Sequence, residues 1–259
     1  MVRYNLPSGM RYSSLGERES FYKDEFDLIK VGEWLQKRGH IEGLVFAVVI
    51  GRHTKIFPKR YKDDASTTII IDEYENLEDV KSTILNFTPE SVYYDRNVYT
   101  KNHKIIGQEL AFDLDPENIE CPIHGTLENK MNQGQGLSFC EIELKMVKEE
   151  TIKLYEELLS TFSLLEIIYS GRGFHIHVLD EDSLSWSYSK RKKFANKIRN
   201  RGYLIDVWVT SGSMRLIRLP FSLHAMVSRV VTPLTISELE SFNPLENERC
   251  TPNFLKQNY

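Results

Sequence analysis

Apolar residues recur along this chain in two periods, and the breaks between them outline its elements. Phe21, Tyr22, Phe26, Ile29 and Trp34 fall at near-helical spacing, which predicts one amphipathic helix over about 18–38. The run 44–50 is apolar and β-rich, and a second strand is expected at 67–71. Asn76, with Asp79 three residues on, has the form of a capping box and should open a helix over about 77–87. Strands are expected at 91–95 and 108–115, joined by a polar turn near 96–106. Apolar periodicity then disappears across 116–139, where Pro, Gly and Asn are frequent, so this stretch reads as a loop or small knuckle.

Val147, Leu154, Leu158 and Phe162 mark one face of a helix over 143–162. The β-rich segments 166–169 and 174–179 flank Ser170-Gly-Arg-Gly173 as a hairpin. A basic helix is expected over about 185–202, then strands at 204–209 and 214–219, the second ended by Pro220. Strands mixed with helices through short hairpins predict an α+β fold, with mixed or antiparallel sheets flanked by helices.

Composition narrows the class without fixing it. The 259 residues suffice for one large α/β domain, or one domain with a small appendage. No apolar run approaches a bilayer span, and the first twenty residues lack a signal-peptide core. The expectation is an intracellular, cytoplasmic chain with no membrane partner. Cys121, Cys140 and Cys250 do not read as a disulfide framework, and are too few to hold an iron–sulfur cluster. A formal charge of −4 excludes indiscriminate duplex binding over the whole surface, so any nucleic-acid contact must be a local patch. Lys190-Arg-Lys-Lys193 with Lys197, Arg199 and Arg201 is one such patch, or else a solvated helix face.

The candidate chemistry sits in three stretches. Along the strand ending at Asp115, Leu110, Phe112 and Leu114 take one face while Asp113 and Asp115 take the other, about 7 Å apart. Carboxylates so placed repel unless a cation lies between them, or unless they form the solvent-facing edge of a half-buried strand. Two divalent ions about 4 Å apart would suit them and serve in-line phosphoryl transfer. Asp206, a charge in the apolar stretch 204–209, needs a cation or a water-facing edge for the same reason.

In the second stretch, the glycines of Ser170-Gly-Arg-Gly173 let backbone N–H groups approach an anion, and Arg172 can fork onto two phosphate oxygens. The same turn is equally an ordinary hairpin turn. His175 and His177 share one strand face, as a metal site, a phosphate contact or a satisfied structural pair. In the third, Arg215, Arg218 and His224 bracket an apolar strand, either around an anion or as a surface fringe.

In this order and spacing, the chain resembles the catalytic small subunit of archaeo-eukaryotic DNA primases, within the primase–polymerase superfamily. Phe112-Asp-Leu-Asp115 is similar to the first family motif, and Tyr169-Ser-Gly-Arg-Gly-Phe-His175 to the second. Asp206-x-x-Val-Thr-x-Gly212 with Leu216-Ile-Arg-Leu-Pro-Phe-Ser-Leu-His224 is similar to the third. Weaker similarity reaches Ser91-Val-Tyr-Tyr-Asp-Arg96. The resemblance implies one catalytic domain over 1–259, with Asp113, Asp115 and Asp206 holding Mg²⁺ or Mn²⁺. It implies that Ser170, Arg172, His175, Arg218 and His224, with Arg215 as a weaker candidate, grip a nucleotide's triphosphate, and it leaves His177 outside the motif.

The family's zinc knuckle would fall within 116–140, where Cys121, His124 and Cys140 offer three Zn²⁺ ligands. Glu128, Glu141 and Glu143 are substitutes for a fourth. The usual closing Cys-x-x-Cys is reduced to Leu137-x-x-Cys140, and the second motif is one residue shorter than its double-Arg form. The implied activity is synthesis of short RNA, or DNA, primers on a single-stranded DNA template from nucleoside triphosphates. A separate primase large subunit is the implied partner. A primer-extending repair enzyme and a non-catalytic template-binding subunit are the alternatives.

Overall fold

In chain order the computed structural model, which describes residues 4–37, 43–100, 104–212 and 216–256, begins with α1 (Leu15–Ser20). A π-helical turn (Phe21–Glu25) and α2 (Leu28–Gln36) follow. Then come β1 (Phe46–Val49), β2 (Thr68–Ile71), α3 (Leu77–Phe87), β3 (Ser91–Asp95), β4 (Asn97–Tyr99) and β5 (Ile105–Gln108). The middle of the chain supplies β6 (Leu110–Leu114), α4 (Leu127–Asn132), α5 (Glu141–Leu158), β7 (Leu165–Tyr169) and β8 (Phe174–Val178). Next are α6 (Glu181–Leu184), α7 (Tyr188–Asn200), α8 (Val207–Ser211) and β9 (Leu216–Arg218). The chain closes with β10 (Leu223–His224), β11 (Arg229–Val230), β12 (Thr232–Leu234), α9 (Ile236–Ser241) and α10 (Asn253–Lys256). Among the described residues no helix is long and apolar enough to cross a membrane.

Two compact units emerge, each interrupted in sequence. One comprises 10–106, 216–232 and 243–259. Its sheet runs β2-β1-β3-β9, with each pair antiparallel. Phe46, Ala47, Val48, Val92 and Tyr94 are buried in it, and Trp34 of α2 meets Tyr94 edge-on at 5.3 Å. Burial of such aromatic and β-branched side chains is the main driving force for this packing.

The other unit comprises 1–9, 107–215 and 233–242. Its sheet runs β12-β7-β8-β6, and β8 is antiparallel to both β7 and β6. α5 packs on β6 and β8 through Leu144, Val147, Leu154 and Leu158. A ring cluster of Phe112, Phe162, Trp186 and Phe194 lies between the sheet and α7. This α+β arrangement with antiparallel sheets is the fold class the periodicity predicts.

Local chemistry corrects several boundaries. The helix expected over 18–38 breaks at Phe26, because Asp27 turns its carboxylate onto the N–H groups of Ile29 (3.0 Å) and Lys30 (3.1 Å) and starts a new helix. The turn expected near 96–106 is the two-stranded hairpin β4–β5. The loop expected at 116–139 contains α4, opened by a capping box between Thr126 and Asn129.

The largest correction concerns 204–209, which is not a strand. Asp206 accepts from the N–H groups of Trp208 (2.7 Å) and Val209 (3.4 Å), and so caps α8. Leu204 and Trp208 are exposed, so their alternation reports apolar surface rather than a pleated core. Gly212 ends α8 at φ +91°, where a Cβ would stand 2.2 Å from Gln108 Oε1.

Candidate active site and metal centre

The carboxylates gather at one end of β6. Asp113 lies opposite His175 in the antiparallel register, and Asp113 Oδ1 is 3.3 Å from His175 Nε2. Asp115, still extended, begins the 3₁₀ turn Pro116–Asn118. Asp206 is joined to the same strand through the backbone, its N–H donating to the carbonyl of Asp113 at 2.9 Å. One hydrogen bond therefore fixes a distant stretch of chain beside the Asp-x-Asp pair. Burial raises the pKa of the Asp206 carboxyl, and the negative charges of Asp113 and Glu117 push it further up.

The Ser170–Gly173 turn closes the β7–β8 hairpin against this cluster. Ser170 N–H donates to Gly173 O (2.9 Å), and Ser170 Oγ accepts from Gly173 N–H (3.1 Å). A Cβ on Gly173 would stand 2.1 Å from Leu114 O and 2.5 Å from Asp115 Oδ1, so only glycine admits the approach. Arg172 is buried, with Nη2 3.6 Å from Asp115 Oδ2 and a closer ion pair to Glu117. Burial opposes its charge, but the carboxylates of Glu117, Asp115 and Asp113 outweigh that effect and hold its pKa above the ordinary value. Glu117 is the residue that sequence reasoning missed. Its only signal was an acid two positions beyond Asp115, in a segment read as loop.

Other residues are placed elsewhere or differently. His175 is buried, and its Nδ1 is enclosed with no hydrogen-bond partner among the described residues. His177, although on the same strand face, pairs with the buried carboxylate of Glu109, and this makes it a structural residue. Arg218 and His224 belong to the other unit. There Arg218 lies over the ring of Tyr93 at 5.1 Å, and His224 is buried opposite Arg229 in the β10–β11 hairpin. Arg215 lies outside the described residues.

The donor chemistry of Asp113, Asp115 and Asp206 fits a hard divalent cation: all three offer carboxylate oxygens, and burial, with the charges of Asp113 and Glu117, raises the Asp206 pKa. Without a cation the crowding has a measurable sign. Asp206→Asn keeps the oxygen that caps α8 but removes the repelled charge. In chelator at pH 7 this variant is expected to melt at or above the wild-type temperature. A raised carboxyl pKa means that the native state binds the proton more tightly than the unfolded chain. The charge penalty is therefore absent at low pH and appears as pH rises through the native pKa. The difference between the two proteins should close below the ordinary carboxyl range, and Mn²⁺ should reverse it by stabilising the wild type more. A variant less stable than wild type in chelator at pH 7 would contradict this account.

A second cluster occupies the loop between β6 and α5. Cys121, His124, Cys140 and Glu143 each bring one donor atom to within 4.8 Å of all the others. Cys121 Sγ is 3.4 Å from His124 Nδ1 and 3.9 Å from Cys140 Sγ, while His124 Nδ1 is 3.7 Å from Glu143 Oε2. Zn–S and Zn–N bonds of about 2.3 and 2.0 Å give tetrahedral edges of roughly 3.4–3.8 Å, so the spacing suits zinc. Of the three acids considered as a fourth ligand, Glu143 is the one in place. The helix start explains it: Glu143 is the third residue of α5, and its Oε2 reaches back to the N–H of Cys140 (2.9 Å). Its other oxygen is held by the buried Lys130 ammonium at 2.6 Å.

No family model matches the chain. It is 47% identical to an uncharacterized DNA primase small subunit-like protein of Archaeoglobus fulgidus, over 98% of this chain and 95% of that one. It is 25% identical to the DNA primase small subunit PriS of Pyrobaculum calidifontis, over 64% of this chain and 67% of the relative. Among solved structures, the polymerase domain of Mycobacterium tuberculosis Ligase D, determined in complex with DNA, superimposes with a TM-score of 0.55. That match covers 100% of this chain and 94% of the other at 12% identity, so it speaks to the fold alone. With near-full-length similarity to the Archaeoglobus protein, and with the primase–polymerase fold, the chain belongs to the archaeo-eukaryotic primase small-subunit family.

Proposed function

We propose that this chain is a metal-dependent nucleotidyl transferase that joins nucleotides on a single-stranded DNA template, as a primase catalytic subunit. The reading rests on one observation above all. Asp206 is hydrogen-bonded through its backbone to Asp113, so three carboxylates from two distant stretches stand together beside a buried arginine. A module that only bound an anionic strand would gain nothing from acids gathered there, because they would repel its phosphates.

In this reading Asp113, Asp115 and Asp206 hold Mg²⁺ or Mn²⁺, which would lower the pKa of an attacking hydroxyl and neutralise charge on the leaving pyrophosphate. The chain's own groups supply orientation. Ser170 and the backbone of its turn, Arg172 and His175 face the triphosphate. Arg172 exchanges part of its pairing with Glu117 and Asp115 for phosphate oxygens. His175, whose Nε2 lies 3.3 Å from Asp113 Oδ1, would offer Nδ1 as a further donor or acceptor once a rearrangement exposes it. Arg218 and His224, described in the other unit, and Arg215 are assigned to the same triphosphate by family motif alone.

Starting a chain requires two nucleotides held together before any primer exists. We therefore assign initiation to a complex with a separate large subunit, and elongation to this chain.

The test is incorporation of labelled ribo- and deoxyribonucleotides on a polypyrimidine template, with and without an annealed primer, in Mn²⁺ or Mg²⁺. Metal-dependent extension of the primer is the expected result, abolished by chelator. No incorporation in either metal, with the protein folded, would overturn the assignment. Efficient unprimed synthesis by the chain alone would remove the need for a partner.

A further inference from the structure

The helix α7 violates the electrostatic rules that its neighbours obey. Its thirteen residues carry six cations, Lys190, Arg191, Lys192, Lys193, Lys197 and Arg199, and no acid, in a chain of net charge −4. Four of the six are consecutive and lie near the N-terminus, where the helix dipole disfavours positive charge. Lys193 and Lys197, four residues apart, repel each other across one turn. By contrast, α5 pairs Lys145 with Glu149 and Lys153 with Glu150. Among the described residues no carboxylate pairs with Lys192, Lys193, Lys197 or Arg199.

The sidedness is equally marked. Arg191, Ala195 and Ile198 are buried, and Arg191 is spent internally on the carbonyls of Trp186 and Ser211. The opposite face presents Ser189, Lys192, Lys193, Asn196, Lys197 and Asn200 along one shallow depression. All are exposed, and every one can bind an anion or donate a hydrogen bond. Packed against α7, on its Arg191 side, is α8, whose cap is Asp206 and whose Trp208 is 66% exposed. A large aromatic left in water beside a cationic helix is the pairing used to hold unpaired bases.

We propose that the outer face of α7 is a track for the phosphate backbone of a single-stranded nucleic acid, with Trp208 as a base-stacking platform. The choice of nucleic acid among polyanions rests on the nucleotidyl-transfer reading above, whereas the excess of unpaired cations does not. Such a strand supplies the missing counter-charge at a spacing no single carboxylate offers. The stacking platform favours an unpaired strand over a duplex, whose bases are already stacked.

The experiment measures fluorescence anisotropy of labelled oligothymidylate, about 20 nucleotides long, with the full chain in chelator and without nucleotide, over a salt series. Each phosphate contact contributes a slope of about −0.7 in log K against log salt for single strands. Lys192→Ala/Lys193→Ala/Lys197→Ala, in which alanine preserves the helix, is expected to weaken binding at least tenfold and to flatten the slope by about 2. Trp208→Ala should weaken binding about tenfold with the slope unchanged, since stacking releases no counterions. Unaltered affinity and slope in the triple variant would overturn the track. Tighter binding of duplex than of single strand, indifferent to Trp208→Ala, would overturn the single-strand assignment. A wild type that binds the strand with these properties yet incorporates no nucleotide would uphold the track while removing the catalytic reading.

Discussion

Asp113→Ala is expected to reduce nucleotide incorporation by roughly a thousandfold or more, equivalent to about 4 kcal/mol or more of transition-state stabilisation. The argument has two halves. Asp113 is the carboxylate that links three groups of the cluster: His175 faces it at 3.3 Å, Asp206 hydrogen-bonds its carbonyl, and its charge is felt by both Asp206 and Arg172. Under the proposed function, removing it would deprive a divalent cation of a ligand. The fold, however, should survive. The bond from Asp206 uses the backbone of residue 113, which alanine keeps, and loss of one carboxylate relieves repulsion within a crowded acidic group. Far-ultraviolet circular dichroism and the melting temperature should stay close to wild type while primer extension disappears. Extension within tenfold of wild type would remove the carboxylate trio from the chemistry.

The second large effect concerns the cysteine loop. One equivalent of zinc per chain is expected by elemental analysis, and Cys121→Ser should abolish it. Burial pushes the Cys140 thiol up in the metal-free protein, so metal binding must expel protons and should weaken as pH falls. Glu143→Gln is the sharper variant, because it preserves shape and the acceptor for Cys140 N–H while removing the charge that Lys130 pairs with in the interior. Stranding a buried ammonium destabilises by about 3–5 kcal/mol, in addition to the lost ligand. In a chain of this size that corresponds to a fall in melting temperature of roughly 10 °C. A chelator-treated wild type that melts at the same temperature and holds no zinc would refute the metal centre.

Much of this was legible before any coordinates, and the illegible parts share a cause. Alternation in 110–114 and 174–178 placed Asp113 and His175 on matching strand faces, because a strand's side-chain period is a property of its own backbone. Asn76 and Asp79 announced their helix for a similar reason, since a cap is a local exchange of hydrogen bonds. Asp206 misled the same reading. An acid before apolar residues can be an unwelcome charge in a strand or the cap of a short helix, and only the neighbours decide. Here Trp208 remained in water, and the short element packed its other side against α7 and β6.

Sequence alone determined the residue types and their local posture: three acids, a glycine turn with an arginine, two cysteines with a histidine, and a helix rich in cations without acids. Tertiary structure decided which of them meet. It brought Asp206 to Asp113, gave Arg172 the unforeseen partner Glu117, set His177 aside with Glu109, and chose Glu143 to complete the cysteine cluster. Periodicity and capping act over a few residues and leave their mark in the order of the chain. Contacts between segments tens of residues apart depend on the packing of whole elements, and no short stretch of sequence encodes them.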